Sequence, residues 1–175
     1  AETASGGRQD RKGCRQMTTD AKFEDGGEAP LNIGALDSED LTVISAMVQD
    51  AVLPIGEISW QANQHRLALL INRFRWEDKT NAERQGRPVE RVQSLLAFDT
   101  VLSVASQGLD RSQKDLVLSV LSITMENAEN GDCYLTVTLA GDGALRIRVE
   151  AVEVHLRDVT RPYAAPSRKS PHHPD

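Results

Sequence analysis

Apolar residues fall into three regimes along the chain. From Ala1 to Pro30 only Met17 and Phe23 come from the set Val, Ile, Leu, Met, Phe and Trp, and from Arg161 to Asp175 none does. The stretch between, 31–160, holds nearly the whole apolar inventory, in segments whose spacing names the elements they form. Asp37-Ser38-Glu39-Asp40 reads as a helix start, with a capping side chain and acids in the first turn. Leu41, Ile44, Val48 and Val52 follow at helical spacing, with Met47 alongside. This spacing predicts a helix from Ser38 to about Ala51 that stops before Pro54, because the residue preceding proline disfavours α geometry.

Beyond Pro54 the pattern changes to that of strands. Ile55 to Trp60 is a short run leading into the turn-like Gln61-Ala62-Asn63-Gln64, and His65 to Trp76 is a longer one rich in Leu, Ile, Phe and Trp. Asp78 to Pro88 is polar or small and reads as a solvent loop. Val92, Leu96, Phe98, Leu102 and Val104 share one parity, as one strand or a bent pair of strands requires. Leu116 to Met125 predicts a central strand. The cleanest signal is a hairpin in which Leu135, Val137 and Leu139 alternate with polar residues, Ala140-Gly141-Asp142-Gly143 reverses the chain, and Leu145, Ile147 and Val149 alternate again.

Residues 150–158 fit both periods. Val152, Val154 and Leu156 continue a strand, whereas Val149, Val152, Leu156 and Val159 line a helix face. Glu150 and Glu153 early with Arg157 late match a helix dipole, so the reading favours a short closing helix. The fold expected is α+β: an N-terminal helix, about six antiparallel strands forming a small barrel or strongly bent sheet, and a short C-terminal helix.

Composition adds domain limits and exclusions. The apolar-poor ends cannot offset their ordering entropy, so 1–30 is expected to be a disordered leader, 31–160 one domain and 161–175 a disordered tail. The net charge is −6 overall, and the middle stretch, where 19 acids face 12 bases, carries −7. That balance argues against nucleic acid and against anionic membrane surfaces as partners. No apolar run is long enough to span a bilayer. Cys14 and Cys133 are the only cysteines, and one lies in the leader, so reduced thiols and a cytoplasmic setting are expected.

Candidate chemistry is sparse. On a strand, Arg73 and Arg75 share one face and Phe74 and Trp76 the other; two guanidiniums side by side can clamp a phosphate or carboxylate, and Trp76 can stack on a ligand. The competing reading, favoured by the abundance of acids, pairs the arginines with carboxylates of neighbouring strands while the aromatics enter the core. Asp110, Arg111, Ser112 and Asp115 make a polar turn able to orient a ligand, although Asp and Ser in turns usually bond their own backbone. Glu150, Glu153, His155 and Asp158 include a ligand pair for a helix-borne metal, but a solvated acidic face explains them as well, and no metal or cofactor is expected. No serine sits in a Gly-x-Ser-x-Gly elbow, and Gly141-Asp142-Gly143 lacks the helix a phosphate loop needs.

Taken in order, Leu36-Asp37-Ser38-Glu39-Asp40-Leu41, Val43-Ile44-Ser45-Ala46, Gln49-Asp50-Ala51-Val52, Asn72-Arg73-Phe74-Arg75-Trp76-Glu77 and Gly108-Leu109-Asp110-Arg111-Ser112 resemble a bacterial family catalogued as domain of unknown function 2948. The resemblance covers roughly Leu31 to Val159. It implies a stand-alone cytosolic protein and no catalytic residue. The expectation is therefore a non-catalytic binding or assembly module that meets a protein partner or a second copy of itself. The alternative is a small enzyme or a binder of a small anion that uses Arg73, Arg75 and Trp76, with Asp110 and Arg111 nearby.

Overall fold

The computed structural model describes residues 29–164. The expected leader and tail, Cys14 included, fall largely outside them. Eleven strands form one sheet: β1 (Asn32–Ala35), β2 (Val52–Pro54), β3 (Ile58–Gln61), β4 (Arg66–Phe74), β5 (Glu90–Phe98), β6 (Val101–Gln107), β7 (Val117–Asn127), β8 (Cys133–Leu139), β9 (Gly143–Val149), β10 (Val154–Asp158) and β11 (Tyr163–Ala164). Every pairing is antiparallel, in the order β1-β10-β5-β4-β2-β7-β8-β9-β6, with β3 added to β4 and β11 to β5. The sheet is not closed, so the expected barrel is absent, and eleven strands replace the six expected. The extra ones are short segments such as β1, β2 and β11, too brief to leave a period in sequence.

Helix α1 (Ser38–Val48) forms where the sequence placed it. The Asp37 carboxylate accepts the Asp40 N–H at 2.8 Å, and Leu41, Ile44 and Val48 are buried. The helix ends three residues early. Asp50 turns to φ 62° and donates its N–H to Val120 at 2.8 Å, which directs Val52 into β2 between β4 and β7. A second helix, α2 (Lys79–Arg84), lies inside the expected solvent loop. It is held there by two buried groups, Ala82 and Asp78, that polarity alone does not mark as inward.

The closing helix is a strand. Val154 and Leu156 are fully buried while His155 and Arg157 are exposed, and β10 is paired on both sides, by β1 and by β5. Hydrogen bonds to two neighbours outweigh a favourable helix dipole, which contributes only a few tenths to about 1 kcal/mol at the surface. The hairpin β8–β9 keeps its expected parity, with Leu135, Val137, Leu139, Leu145 and Ile147 all buried.

β5 and β6 are nearly one strand, broken by Asp99 and Thr100. Thr100 takes φ 56°, and the inward parity shifts there: Phe98 and Val101 are buried whereas Leu102 is 38% exposed. At this corner the chain passes from pairing with β4 to pairing with β9.

Candidate functional site

Arg73 lies on the inward parity of β4, below Leu67, Leu69 and Ile71, with no exposed surface. Its guanidinium is saturated. It donates to Asp158 at 2.9, 3.0 and 3.2 Å, to Glu77 at 2.8 and 2.9 Å, to the Ser94 hydroxyl at 3.1 Å and to the Phe74 carbonyl at 3.1 Å. Burial disfavours its charge, and the bonds and fields of Glu77 and Asp158 more than offset this, leaving its pKa raised. Asp158, its side chain 4% exposed, also accepts from Ser94 Oγ at 2.6 Å and from the Leu31 N–H at 2.9 Å.

Arg75 is likewise buried, 2.6 Å from Glu90 and 3.5 Å from Asp78, and Arg87 lies 2.7 Å from that same Asp78. Trp76 is half-buried; its indole N–H donates to the Gln49 carbonyl at 2.9 Å and its ring packs 5.2 Å from Phe74. These three residues tie β4 to β5, β10 and the end of α1. The charges of Arg73 and Arg75 are met by carboxylates from within the chain.

Asp110 and Arg111 stand elsewhere, on the loop joining β6 to β7. The Asp110 carboxylate accepts from the Ser112 hydroxyl at 2.6 Å and its N–H at 3.0 Å, which holds the carboxyl below its usual range. Arg111 donates to the Ser106 hydroxyl at 3.0 Å. The loop is pinned at both ends. Gly108, at φ +67°, approaches the β8–β9 turn so closely that a Cβ would sit 2.8 Å from the Asp142 carbonyl oxygen. At the other end Gly56 N–H donates to Lys114 and Ile55 N–H to Leu116, both at 2.9 Å.

The pinned loop forms one wall of a cleft of about 530 Å³. Ile58 and Trp60 of β3 line one side, and Val104 and Ser106 of β6 with Leu145 of β9 line the other. Ile55 and Leu67 close the floor, and Leu109, Arg111 and Lys114 come from the loop. The cleft lies between strands that do not pair with each other, since β3 pairs with β4 and β6 with β9. One end of that gap is laced shut. The Val101 N–H donates to the His65 carbonyl at 2.8 Å, and His65 Nδ1 lies 3.1 Å from the Val101 carbonyl.

No carboxylate lines this cleft, and among the described residues neither Arg111 nor Lys114 makes an ion pair. Trp60 is 40% exposed at its mouth. Arg111 alone of the five residues singled out in sequence belongs to it. Arg73, Arg75 and Trp76 share no wall with it, so the two motifs are not brought together.

The acids once grouped with His155 on a helix are separated by β10. Asp158 points to Arg73, while His155 Nε2 lies 3.6 Å from Asp99 and 3.7 Å from Glu153. These three residues are metal-ligand types within reach of one another. Arg66, however, engages both oxygens of Asp99, at 2.7 and 3.3 Å, and supplies the cation there. Cys133 is a free thiol, half-buried against the core.

The cleft thus combines apolar side chains of four strands with the polar groups of Ser106, Arg111 and Lys114. The chain belongs to the family described as protein of unknown function DUF2948, which it matches over residues 31–173. No curated protein and no solved structure matches the chain. No helix among the described residues is long and apolar enough to cross a membrane.

Proposed function

We propose that this protein is a non-catalytic binding module whose ligand occupies the cleft between β3 and β6. The observation that carries this reading is the pairing of apolar walls with a loop held rigid from both ends, so that the site exists before anything enters it. The volume falls in the usual range for small-molecule sites. The lining contains no carboxylate, histidine or cysteine, so Ser106 and Lys114 have no such group there to activate them, which favours binding over turnover. The buried Arg73 and Arg75 act in this reading as ties within the sheet. The free Cys133 thiol suits a reducing, cytoplasmic setting.

The test uses a neutral naphthylamine dye that fluoresces in apolar sites, titrated into the full-length protein and into Ile58→Arg. A saturable one-to-one signal in the wild type, lost in a variant that melts like it, supports the cleft. An equal signal in both refutes it.

A further inference from the structure

Resting on that reading, we propose that the ligand is an amphipathic monoanion, a medium-chain acyl carboxylate whose head meets Arg111 and Lys114 and whose chain lies between Trp60 and Leu145. Charge supports the head. In a chain of net charge −6, these two cations stand at an apolar cleft without a carboxylate partner among the described residues. A long cation side chain at a cleft rim keeps its charge in water until an anion arrives, and a charge-assisted bond then forms at the edge of low-dielectric surface.

The donors at the rim come from two side chains. One edge of the Arg111 guanidinium is tied to Ser106, which leaves its remaining N–H groups and one ammonium for the ligand. Those donors meet both oxygens of a carboxylate and suffice for a phosphate monoester as well, so charge sets an anionic head and the titration below separates the two forms.

The shape of the cleft favours a short chain over a peptide. An added β-strand would have to run the length of the gap between the free edges of β3 and β6. The His65–Val101 bonds bridge that gap at one end, which shortens the run open to an added strand. At about 30 Å³ for a water-sized group, 530 Å³ accepts a chain of up to about 18 heavy atoms.

The experiment titrates decanoate, 1-decanol and decyl phosphate into the full-length Trp76→Phe protein, with Trp60 fluorescence and calorimetry as readouts. Arg111→Gln and Lys114→Gln are measured in the same background. Decanoate is expected to bind about tenfold more tightly than decanol, and either Gln variant to lose about that factor for decanoate while decanol is unchanged. Equal affinity for decanol and decanoate, or Gln variants that bind decanoate normally, overturns the anion assignment while leaving the cleft as the site. Decyl phosphate binding much more tightly than decanoate overturns the carboxylate in favour of a phosphate monoester. Binding of none of the three overturns the assignment, and the dye titration then decides separately whether the cleft binds anything.

Discussion

Asp158→Ala tests the buried network most directly. The carboxylate is 4% exposed and meets three elements besides its own strand: Arg73 of β4, Ser94 of β5 and the Leu31 N–H at the start of β1. Its loss leaves a guanidinium with no exposed surface dependent on Glu77, whose side chain is 28% exposed and partly screened by water. Breaking a buried ion pair from one side costs about 3–5 kcal/mol, and the residual Glu77 contact moves the expectation toward the lower end. Freeing the Leu31 N–H adds about 1 kcal/mol, although members of one network do not sum. A total of about 4 kcal/mol is a large share of a typical stability of about 5–15 kcal/mol. It should lower the melting midpoint by roughly 10 °C for a domain of this size. Urea unfolding followed by circular dichroism measures it as a lower midpoint at unchanged slope. Glu77→Ala serves as the internal comparison, with an expected loss of about 1 kcal/mol. An Asp158→Ala loss no larger than that of Glu77→Ala would show that Arg73 does not depend on the carboxylate, and the network argument would fail.

Gly108→Ala forces a side chain into φ +67° and 2.8 Å from the Asp142 carbonyl oxygen, so it should cost about 1–3 kcal/mol. Hydrogen exchange should quicken at residues 109–113 with β8 unchanged; uniform protection across the loop would contradict the pinning. Leu139→Ala, at a fully buried position, should lose about 2–5 kcal/mol, against well under about 1 for its neighbour Thr138→Ala, in chemical denaturation. Comparable losses would mean that the outer face of β8 is covered too. The Asp110 carboxyl, bonded by the Ser112 hydroxyl and N–H, should titrate below the usual 3.8. Because the folded value is the lower one, its contribution to the turn is whole above 3.8 and is lost as pH falls through the folded value. Carbon-detected NMR of the side chain should show this, and Ser112→Ala should bring the midpoint back up; a wild-type midpoint at or above 3.8 would refute the bond.

What the sequence made legible was local. The β8–β9 hairpin carries its own turn, with Gly141 and Asp142 both at positive φ, and its parity needs no partner to be read. Helix α1 announces its start through Asp37, but its end depends on Val120, a residue seventy positions away that draws Asp50 out of the helix. Residues 150–158 suited both periods, and only pairing with β1 and β5 decides between them. Acid partners for Arg73 and Arg75 were foreseeable from composition, yet their identities were not, since Asp158 is 85 residues from Arg73. The cleft is the extreme case. Its walls come from four strands, a turn and a loop, and each contributes residues that alone read as ordinary core or ordinary surface. Only Arg111, in a polar turn that starts with a glycine, was singled out in sequence.

The bond between Leu31 and Asp158 also has a consequence for translation. The two residues are 127 positions apart, and among the described residues β1 pairs with β10 alone. At about 5–20 residues per second, the ribosome releases β10 on the order of ten seconds after β1. For the later part of that interval, the 85 residues that separate Arg73 from Asp158, the arginine has been made and its buried counterion has not. A product cut short before Asp158 retains most of the sheet-forming sequence but strands a guanidinium in the core. This late-made strand thus bears on quality control: chains that end before Asp158 are expected to be less stable and to be removed first by proteases that sample unfolded states.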